Sequence, residues 1–235
     1  MLKYNSLAYI LHRRPYRDNS FLLDIFSQTH GKLRCIAYPA KNHGKVMRGH
    51  LEPFRYLYIE WSGHTELAHL NHVEEYGRHR IARAHLAIAF YFNELILRLS
   101  HPLQPLESVF KHYKNSLHAL AQADFPQEII MIVVLFELHF LQDLGHSLFF
   151  SQCSDTKQPI EADQHYYFIP DQGLMQHSHT TTTAIVISGQ LLIALQSSLI
   201  QPSPALLAEL RTVLDGTIQY LLAGKVLHSR TLLKL

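Results

Sequence analysis

The chain has 235 residues, of which 47% are hydrophobic and 17% are charged, a composition that excludes an intrinsically disordered protein. Its two cysteines, Cys35 and Cys153, are far apart, which excludes a disulfide-rich scaffold and favours a reducing compartment. The longest apolar run, residues 129–138, has roughly half the length that a bilayer requires, and residues 1–10 are too polar for a secretory signal, so a cytoplasmic protein is expected.

Positive charge is concentrated in the first third of the sequence. The net charge is only +2, but residues 1–80 carry 12 Lys and Arg against 7 Asp and Glu. Residues 81–235 carry 9 basic side chains against 12 acidic ones. A cationic segment on a chain that is otherwise slightly acidic is typical of a surface that binds a polyanion.

The first third also predicts five short β-strands, because β-favouring residues alternate with polar ones between tight turns. The predicted strands are residues 6–12, 20–27, 31–37, 51–62 and 66–75. Thr29-His30-Gly31 is expected to form a hairpin turn in which Gly31 supplies a positive φ. Short strands joined in this way predict a small barrel, which leaves no exposed strand edges.

From about residue 80 the hydrophobic period becomes helical. The predicted helices are residues 81–99, 106–123, 126–144, 189–199 and 204–222. Residues 150–187 lack this period and predict an irregular insert with room for a two-stranded ribbon. The predicted fold is therefore α+β: a five-stranded OB-fold barrel at residues 1–79 and a mostly α-helical domain at residues 80–235.

Cations and aromatic residues cluster on the predicted barrel. Lys32 and Arg34 are expected to point the same way, because side chains in a strand repeat every second residue. Residues 39–50 predict a basic loop. Cations of this kind neutralise backbone phosphates, and exposed rings stack on unpaired bases. The candidate DNA-binding residues are Arg13, Arg14, Arg17, Lys32, Arg34, Tyr38, Lys41, Lys45, Arg48 and Phe54. The alternative is a solvated basic face that binds no ligand.

Signatures of bond chemistry are missing from the sequence. There is no P-loop, GxSxG, HExxH or GxGxxG motif, so the chain is not expected to be an enzyme. Among 18 histidines, His177 and His179 fall in the same insert as Cys153, but without the ligand spacing of a zinc site, so neither a metal nor a cofactor is expected. The apolar run at residues 129–144 predicts a core helix, with an exposed groove for a partner peptide as the alternative.

An ordered series of motifs resembles the RecO family of bacterial DNA repair proteins. The first lies in residues 8–42, which contain Leu-Asp-Ile-Phe-Ser followed by Thr-His-Gly-Lys-Leu-Arg. The later motifs are Leu-Glu-Pro-Phe at 51–54, Tyr-Phe-Asn-Glu-Leu at 91–95, Phe-Glu-Leu with Leu-Gly at 136–145, and Gly-Lys with Ser-Arg at 224–230. Each motif is weak by itself, but the series spans nearly the whole chain in order.

The resemblance implies an OB-fold barrel, a helical second domain and a recombination mediator located in the cytoplasm at the nucleoid. Such a protein binds single- and double-stranded DNA and anneals complementary strands. It also works with RecR to load RecA onto strands coated by the single-stranded-DNA-binding protein SSB, without a small-molecule substrate or a membrane. The alternatives are a protein–protein adaptor, whose helical domain binds a partner peptide and whose barrel is structural, and a hydrolase that acts on nucleic acid.

The sequence departs from the family pattern at two places. Many relatives carry a four-cysteine zinc site in the insert. The corresponding positions here are Cys153, Thr156, Gln176 and His179, so zinc is not expected. Relatives also tend to place arginines just before Phe-Glu-Leu, where the SSB tail is thought to dock, whereas residues 132–135 are apolar here. The alternative cations for that tail are Lys111, Lys114 and Arg98.

Overall fold

The computed structural model describes residues 2–17, 20–38, 51–63, 67–177, 184–197 and 202–232, with side chains to Arg230. The chain forms two compact units, one made of residues 1–133 with 227–235 and the other of residues 134–226. The predicted basic loop at residues 39–50 lies outside the described residues. The domain boundary between residues 79 and 80 remains a prediction.

Five strands form a barrel in the first unit. They are β1 (Lys3–Tyr16), β2 (Ser20–Ser27), β3 (Gly31–Ala37), β4 (Arg55–Ser62) and β5 (Ala68–Arg78). The order around the barrel is β1-β2-β3-β5-β4, and β4 pairs back onto β1. Neighbouring strands are antiparallel except β3 and β5, which are parallel. The predicted five-stranded OB-fold barrel is thereby confirmed.

The boundaries of three strands differ from the predicted ones, and one of these is β5, which runs over Ala68–Arg78 and not over residues 66–75. Strand β1 is longer than the predicted 6–12 strand. A register shift between Ile10 and His12 lets its pairing with β2 continue to Tyr16, beyond the residues that alternate regularly in the sequence. Arg13 and Arg14 therefore lie within β1 and not just after it. Strand β4 begins later, at Arg55, because Phe54 has a left-handed φ of 65°, which an extended strand does not allow.

The barrel core consists of side chains that alternate along each strand. On β3, Leu33, Cys35 and Ala37 belong to the core cluster and alternate with Lys32 and Arg34 along the strand. Burial raises the pKa of the Cys35 thiol to about 12, so this cysteine is an inert apolar side chain. Gly31 has the predicted positive φ of 66°, and a Cβ there would lie 1.8 Å from the backbone oxygen of Gln104. Both features require glycine.

Three helices follow the barrel: α1 (Leu86–Leu99), α2 (Glu107–Gln122) and α3 (Pro126–Asp143). A 3₁₀ turn at Arg83–His85 replaces the first part of the predicted 81–99 helix. The outside of the barrel packs on α2, with the rings of Tyr9 and Tyr113 centred 5.1 Å apart. Asn93 of α1 joins them, since it donates to the backbone oxygen of Leu11 and accepts from the Tyr113 hydroxyl.

The second unit contains a sheet that the sequence only partly predicted. Its strands are β6 (His165–Ile169), β7 (Gly173–Met175) and β8 (Ile185–Ser188), in the order β7-β6-β8. The predicted two-stranded ribbon is thus part of a three-stranded sheet. Helices α4 (Gly189–Gln196) and α5 (Pro204–Leu222) follow. Within the described ranges, we find no helix of the length and apolarity needed to cross a membrane.

Candidate nucleic-acid interface

Arg13 and Arg14 lie side by side in β1 but have different surroundings. The Arg13 guanidinium lies 2.9 Å from the carboxylate of Glu52 and 4.9 Å from the centre of the Phe21 ring. Arg14 is exposed and pairs across the strands with Leu22. Arg13 is therefore already engaged with an anion and a ring, whereas Arg14 offers its charge to solvent.

Arg17 directly follows the last residue of β1. It is exposed, has a φ of 48°, and its guanidinium lies 5.2 Å from the centre of the Tyr16 ring. A guanidinium over an aromatic face is held by a cation–π interaction and keeps its N–H groups at the rim of the ring. Arg17 is thus a second exposed cation at the end of this strand.

Arg34 of β3 forms an ion pair across the hairpin. Its Nε donates to Asp24 Oδ1 at 2.8 Å, and the two residues are directly opposite each other in the β2–β3 register. Asp24 is buried, and its other oxygen lies 3.6 Å from His12 Nδ1. The Arg34 side chain is still 48% exposed. Because a guanidinium has five N–H donors, the ion pair fixes its position and still leaves most of its donors for a ligand.

Lys32 has a different role from Arg34, although both lie on β3. The Lys32 side chain is half-buried, and its ammonium donates to the backbone oxygens of Leu97 at 2.7 Å and Ser100 at 2.6 Å. These carbonyls belong to the end of α1, where a cation also compensates the helix dipole. The structure therefore supports a helix-capping role for Lys32, and not the predicted phosphate contact.

The two candidate stacking residues are largely covered. Phe54 is only 6% exposed, and its ring packs edge-on against Phe90 with centres 5.0 Å apart. A ring covered in this way has no face on which a base can stack, so Phe54 does not belong to the proposed DNA interface. Tyr38 is half-buried and stacks near His69. The loop cations Lys41, Lys45 and Arg48 lie outside the described residues, and their DNA contacts remain predictions.

An open cleft of about 490 Å³ brings several of these residues together, and we call it the arginine cleft. Arg14, Arg34 and Asp24 line it from the barrel, and Phe90, Glu94 and Arg98 line it from α1. His228 and Ser229, from the segment after α5, complete the wall. Three arginines from three separate elements thus face two carboxylates. Sequence reasoning named Arg98 only as an alternative cation for a protein tail, because its position beside the barrel depends on how α1 packs.

Glu94 connects α1 to His228 and Ser229, in the segment that follows α5. Its carboxylate accepts hydrogen bonds from the backbone N–H groups of His228 and Ser229, at 3.0 and 2.8 Å, and from the Ser229 hydroxyl at 2.6 Å. Burial opposes ionisation of Glu94, but the hydrogen bonds from Ser229 and His228 outweigh it and lower the pKa of Glu94. The Glu-Leu and Ser-Arg motifs, more than 130 residues apart, therefore meet in one contact.

Comparison with known proteins identifies the family. Residues 1–77 match the model of the Recombination protein O N terminal, and residues 80–231 match that of the Recombination protein O C terminal. The DNA repair protein RecO of Coxiella burnetii strain RSA 331 is 34% identical over 229 residues, which cover 96% of both chains. That of Marinobacter nauticus is 30% identical over 227 residues, 96% of this chain and 92% of the relative.

The chain belongs to the RecO family. The resemblance seen in the sequence is thereby confirmed. Family membership assigns the protein to DNA repair and recombination.

In this RecO-family chain, hydrogen bonds involve two of the four positions that correspond to the zinc site implied by the family resemblance. The Thr156 hydroxyl donates to the side-chain oxygen of Gln176 at 2.8 Å, and the Gln176 backbone N–H donates to Asp155 at 3.2 Å. Burial raises the pKa of the Cys153 thiol, and the hydroxyl of Thr156 and the amide of Gln176 are not among the ligands that zinc prefers. His179 lies outside the described residues. The described members of this set therefore do not fit a zinc ion.

Proposed function

We propose that the protein is a non-catalytic recombination mediator that binds DNA through the arginines of its barrel. The observation that carries this proposal is the position of Arg14 and Arg34, which come from two strands and line one open cleft. Phosphate binding requires several cations spread along a surface and not one enclosed pocket. Arg17 extends the same cationic segment, and we include the loop cations Lys41, Lys45 and Arg48 in the proposed interface.

The charge balance of the arginine cleft favours an anionic ligand. Asp24 is already paired with Arg34, and the Glu94 carboxylate accepts three hydrogen bonds from His228 and Ser229. The cleft holds three arginines against these two carboxylates, so its formal net charge is +1. Arg14 and Arg34 keep N–H donors for a ligand, and two such donors can bind adjacent phosphate oxygens.

Strand annealing follows from this kind of binding. Cations that screen two polyanions allow complementary strands to approach, and base pairing then supplies the driving force. Cooperation with RecR, contact with the SSB tail and loading of RecA are part of the proposal, and family membership is what supports them.

A salt titration tests the proposal directly. Fluorescence anisotropy of labelled single-stranded DNA is recorded with the full-length protein over a series of salt concentrations. We expect affinity to fall steeply, with a log–log slope of several units, because bound cations are released from DNA. A slope near zero would contradict the proposal.

Two further assays separate the proposed mediator from its alternatives. Complementary labelled strands should anneal faster with the protein than without it. The same strands should stay intact in the presence of divalent metal, because we propose no hydrolytic step. If annealing is unchanged while a partner protein is still retained at high salt after nuclease treatment, the adaptor function is favoured instead.

A further inference from the structure

We propose that the arginine cleft holds one unpaired nucleotide of single-stranded DNA, with its phosphate on the arginines and its base against Phe90. This inference rests on the proposed function, since it takes DNA as the ligand. It adds which chemical part of DNA the cleft recognises, and it assigns roles to Phe90 and Arg98.

Phe90 is unusual among the apolar residues of α1. Its neighbours Ala89 and Tyr91 are buried, whereas Phe90 is 43% exposed and lines the cleft. The buried ring of Phe54 packs edge-on against it at an interplanar angle of 63° and limits its movement. Phe54 thus acts as a positioning residue for the exposed ring of Phe90. Because the Phe90 side chain is already restricted, it loses little conformational entropy when a ligand binds.

The cations around this ring are placed for a phosphate. Arg34 is oriented by Asp24, and Arg98 lies one helical turn from Glu94 with its Nε 3.8 Å from the carboxylate. The Arg98 side chain remains 39% exposed. An aromatic ring beside several guanidinium groups is the combination that binds unpaired nucleotides, since the ring takes the base and the cations take the backbone.

The size and surroundings of the cleft fit a strand and not only a free ion. Its volume of about 490 Å³ lies within the range of roughly 300–1,000 Å³ that is usual for small-ligand sites. A second cleft of about 280 Å³ adjoins it, and the two share Asp24, Arg34 and Leu97. A strand leaving the first cleft can continue there over Arg34 and Leu97, while the Lys32 ammonium in the second cleft stays on the carbonyls of α1.

The geometry favours single strands over duplexes. Within a duplex both faces of each base are covered by stacking, so no face is available to Phe90. An unpaired base can turn towards the ring and lose only weak stacking with its neighbours. The arginines alone would bind either form of DNA, and Phe90 supplies the discrimination.

The test compares Phe90→Leu with Phe125→Ala in the full-length protein. Phe90→Leu keeps apolar packing against Phe54 but removes the ring, and Phe125 is an exposed phenylalanine that does not line the cleft. Single-stranded DNA carrying 2-aminopurine and a duplex of the same sequence are titrated with each protein. We expect Phe90→Leu to weaken single-strand binding by roughly 5- to 100-fold and to abolish fluorescence quenching of the base. Duplex affinity should change less than about twofold, and Phe125→Ala should change neither.

A second pair of variants tests the phosphate contact. Arg98→Gln should weaken single-strand binding by roughly tenfold, whereas Arg83→Gln, an exposed arginine outside the cleft, should not. A parallel titration uses a polyglutamate peptide. If Arg98→Gln abolishes peptide binding and leaves DNA binding intact, the cleft is a protein site and the inference is overturned.

The outcomes separate this inference from the proposed function. If the wild-type protein binds DNA with a steep salt dependence but Phe90→Leu affects single strands and duplexes equally, or neither, the nucleotide site is wrong and the mediator function stands. If the wild-type protein shows no salt-dependent DNA binding, the proposed function itself fails. Unfolding curves of the variants confirm that each remains folded.

Discussion

The arginine cleft and the insert of the second unit arrange their polar groups in opposite ways. In the cleft, Arg34 is held by Asp24 and remains 48% exposed. In the insert, Thr156 and Gln176 are hydrogen-bonded to each other, at two of the four positions that correspond to the zinc site implied by the family resemblance. The Thr156 hydroxyl uses its single donor in this contact, whereas Arg34 keeps further N–H donors for a ligand.

The difference shows that a polar contact can either prepare a site or close it. A carboxylate that orients a guanidinium uses one of its five N–H groups, so the others remain available. A hydroxyl that donates its one hydrogen to an amide has no donor left. Lys32 lies between the two kinds, because two of the three N–H groups of its ammonium donate to backbone carbonyls and hold it at the end of α1.

The largest effect is expected from reversing charge in the cleft. In the double variant Arg14→Glu/Arg34→Glu, affinity for single-stranded DNA should fall roughly 100-fold or more, since each charge-assisted hydrogen bond contributes about 1.5–3 kcal/mol. The salt slope should decrease by about 2 if both residues contact phosphate. Anisotropy titrations measure both quantities. The matched control, Arg83→Glu/Lys111→Glu, changes the net charge equally outside the cleft. Equal losses in both double variants would show that overall charge, and not the cleft, governs binding.

Replacing Lys32 tests whether a cation on the same strand has a structural role. Lys32→Met keeps the aliphatic stem and removes two hydrogen bonds to the end of α1. We expect the free energy of unfolding to fall by about 1–3 kcal/mol in urea titrations, while DNA affinity changes less than about twofold. A large loss of DNA binding with unchanged stability would instead place Lys32 in the interface.

The half-buried contact between Tyr9 and His79 predicts a pH dependence of stability. Burial, followed by the charges of His118 and Lys114, lowers the pKa of His79 to about 4. Neutral His79 pairs with the Tyr9 hydroxyl at 2.9 Å. Between pH 6.5 and 4, His79 is protonated in the unfolded chain but stays neutral in the folded one, so acidification favours unfolding. The free energy of unfolding is therefore highest above pH 6.5 and decreases as the pH falls towards 4.

The loss should amount to roughly 1–2 kcal/mol after solvent screening is allowed for. Unfolding free energies measured between pH 7.5 and 4 check it. His79→Gln removes this titration, so its stability should vary less with pH over the same interval. An identical pH profile in the variant would assign the dependence to other groups.

The smallest effect is expected in the insert. Thr156→Val removes the hydrogen bond to Gln176 and should lower the unfolding free energy by about 1 kcal/mol, with DNA affinity unchanged. A chelator should leave the melting temperature of the wild-type protein unchanged, because the hydroxyl and amide at these positions do not bind zinc. A clear drop in melting temperature on chelation would show that the insert retains a metal after all.

The sequence predicted best those elements whose signals are local. Strands β2 and β3 have their predicted bounds because alternation runs up to a turn whose Gly31 adopts a positive φ. Helix α5 also has its predicted bounds, since Ser203 caps it, Pro204 opens it and Ala223 leaves it in a left-handed conformation. The turn even fixes the register that places Asp24 opposite Arg34, so this ion pair could have been predicted.

Contacts between distant segments were beyond sequence reasoning. Lys32 meets carbonyls 65 and 68 residues later, and nothing near it in the sequence signals a helix end. The exposure of Phe90 and the proximity of Arg98 to the barrel likewise depend on how α1 packs. The number of basic residues in the first third of the chain supports the DNA-binding hypothesis. It cannot distinguish a cation that caps a helix from a cation that faces a ligand.

The anchoring of residues 228 and 229 by Glu94 has a consequence for biosynthesis. These two residues line the arginine cleft, yet the ribosome adds them after the whole of the second unit. The cleft of a nascent chain lacks a wall until translation has passed Ser229. Messages truncated before that codon would therefore encode a chain with an incomplete cleft, so the order of synthesis itself delays the appearance of the site.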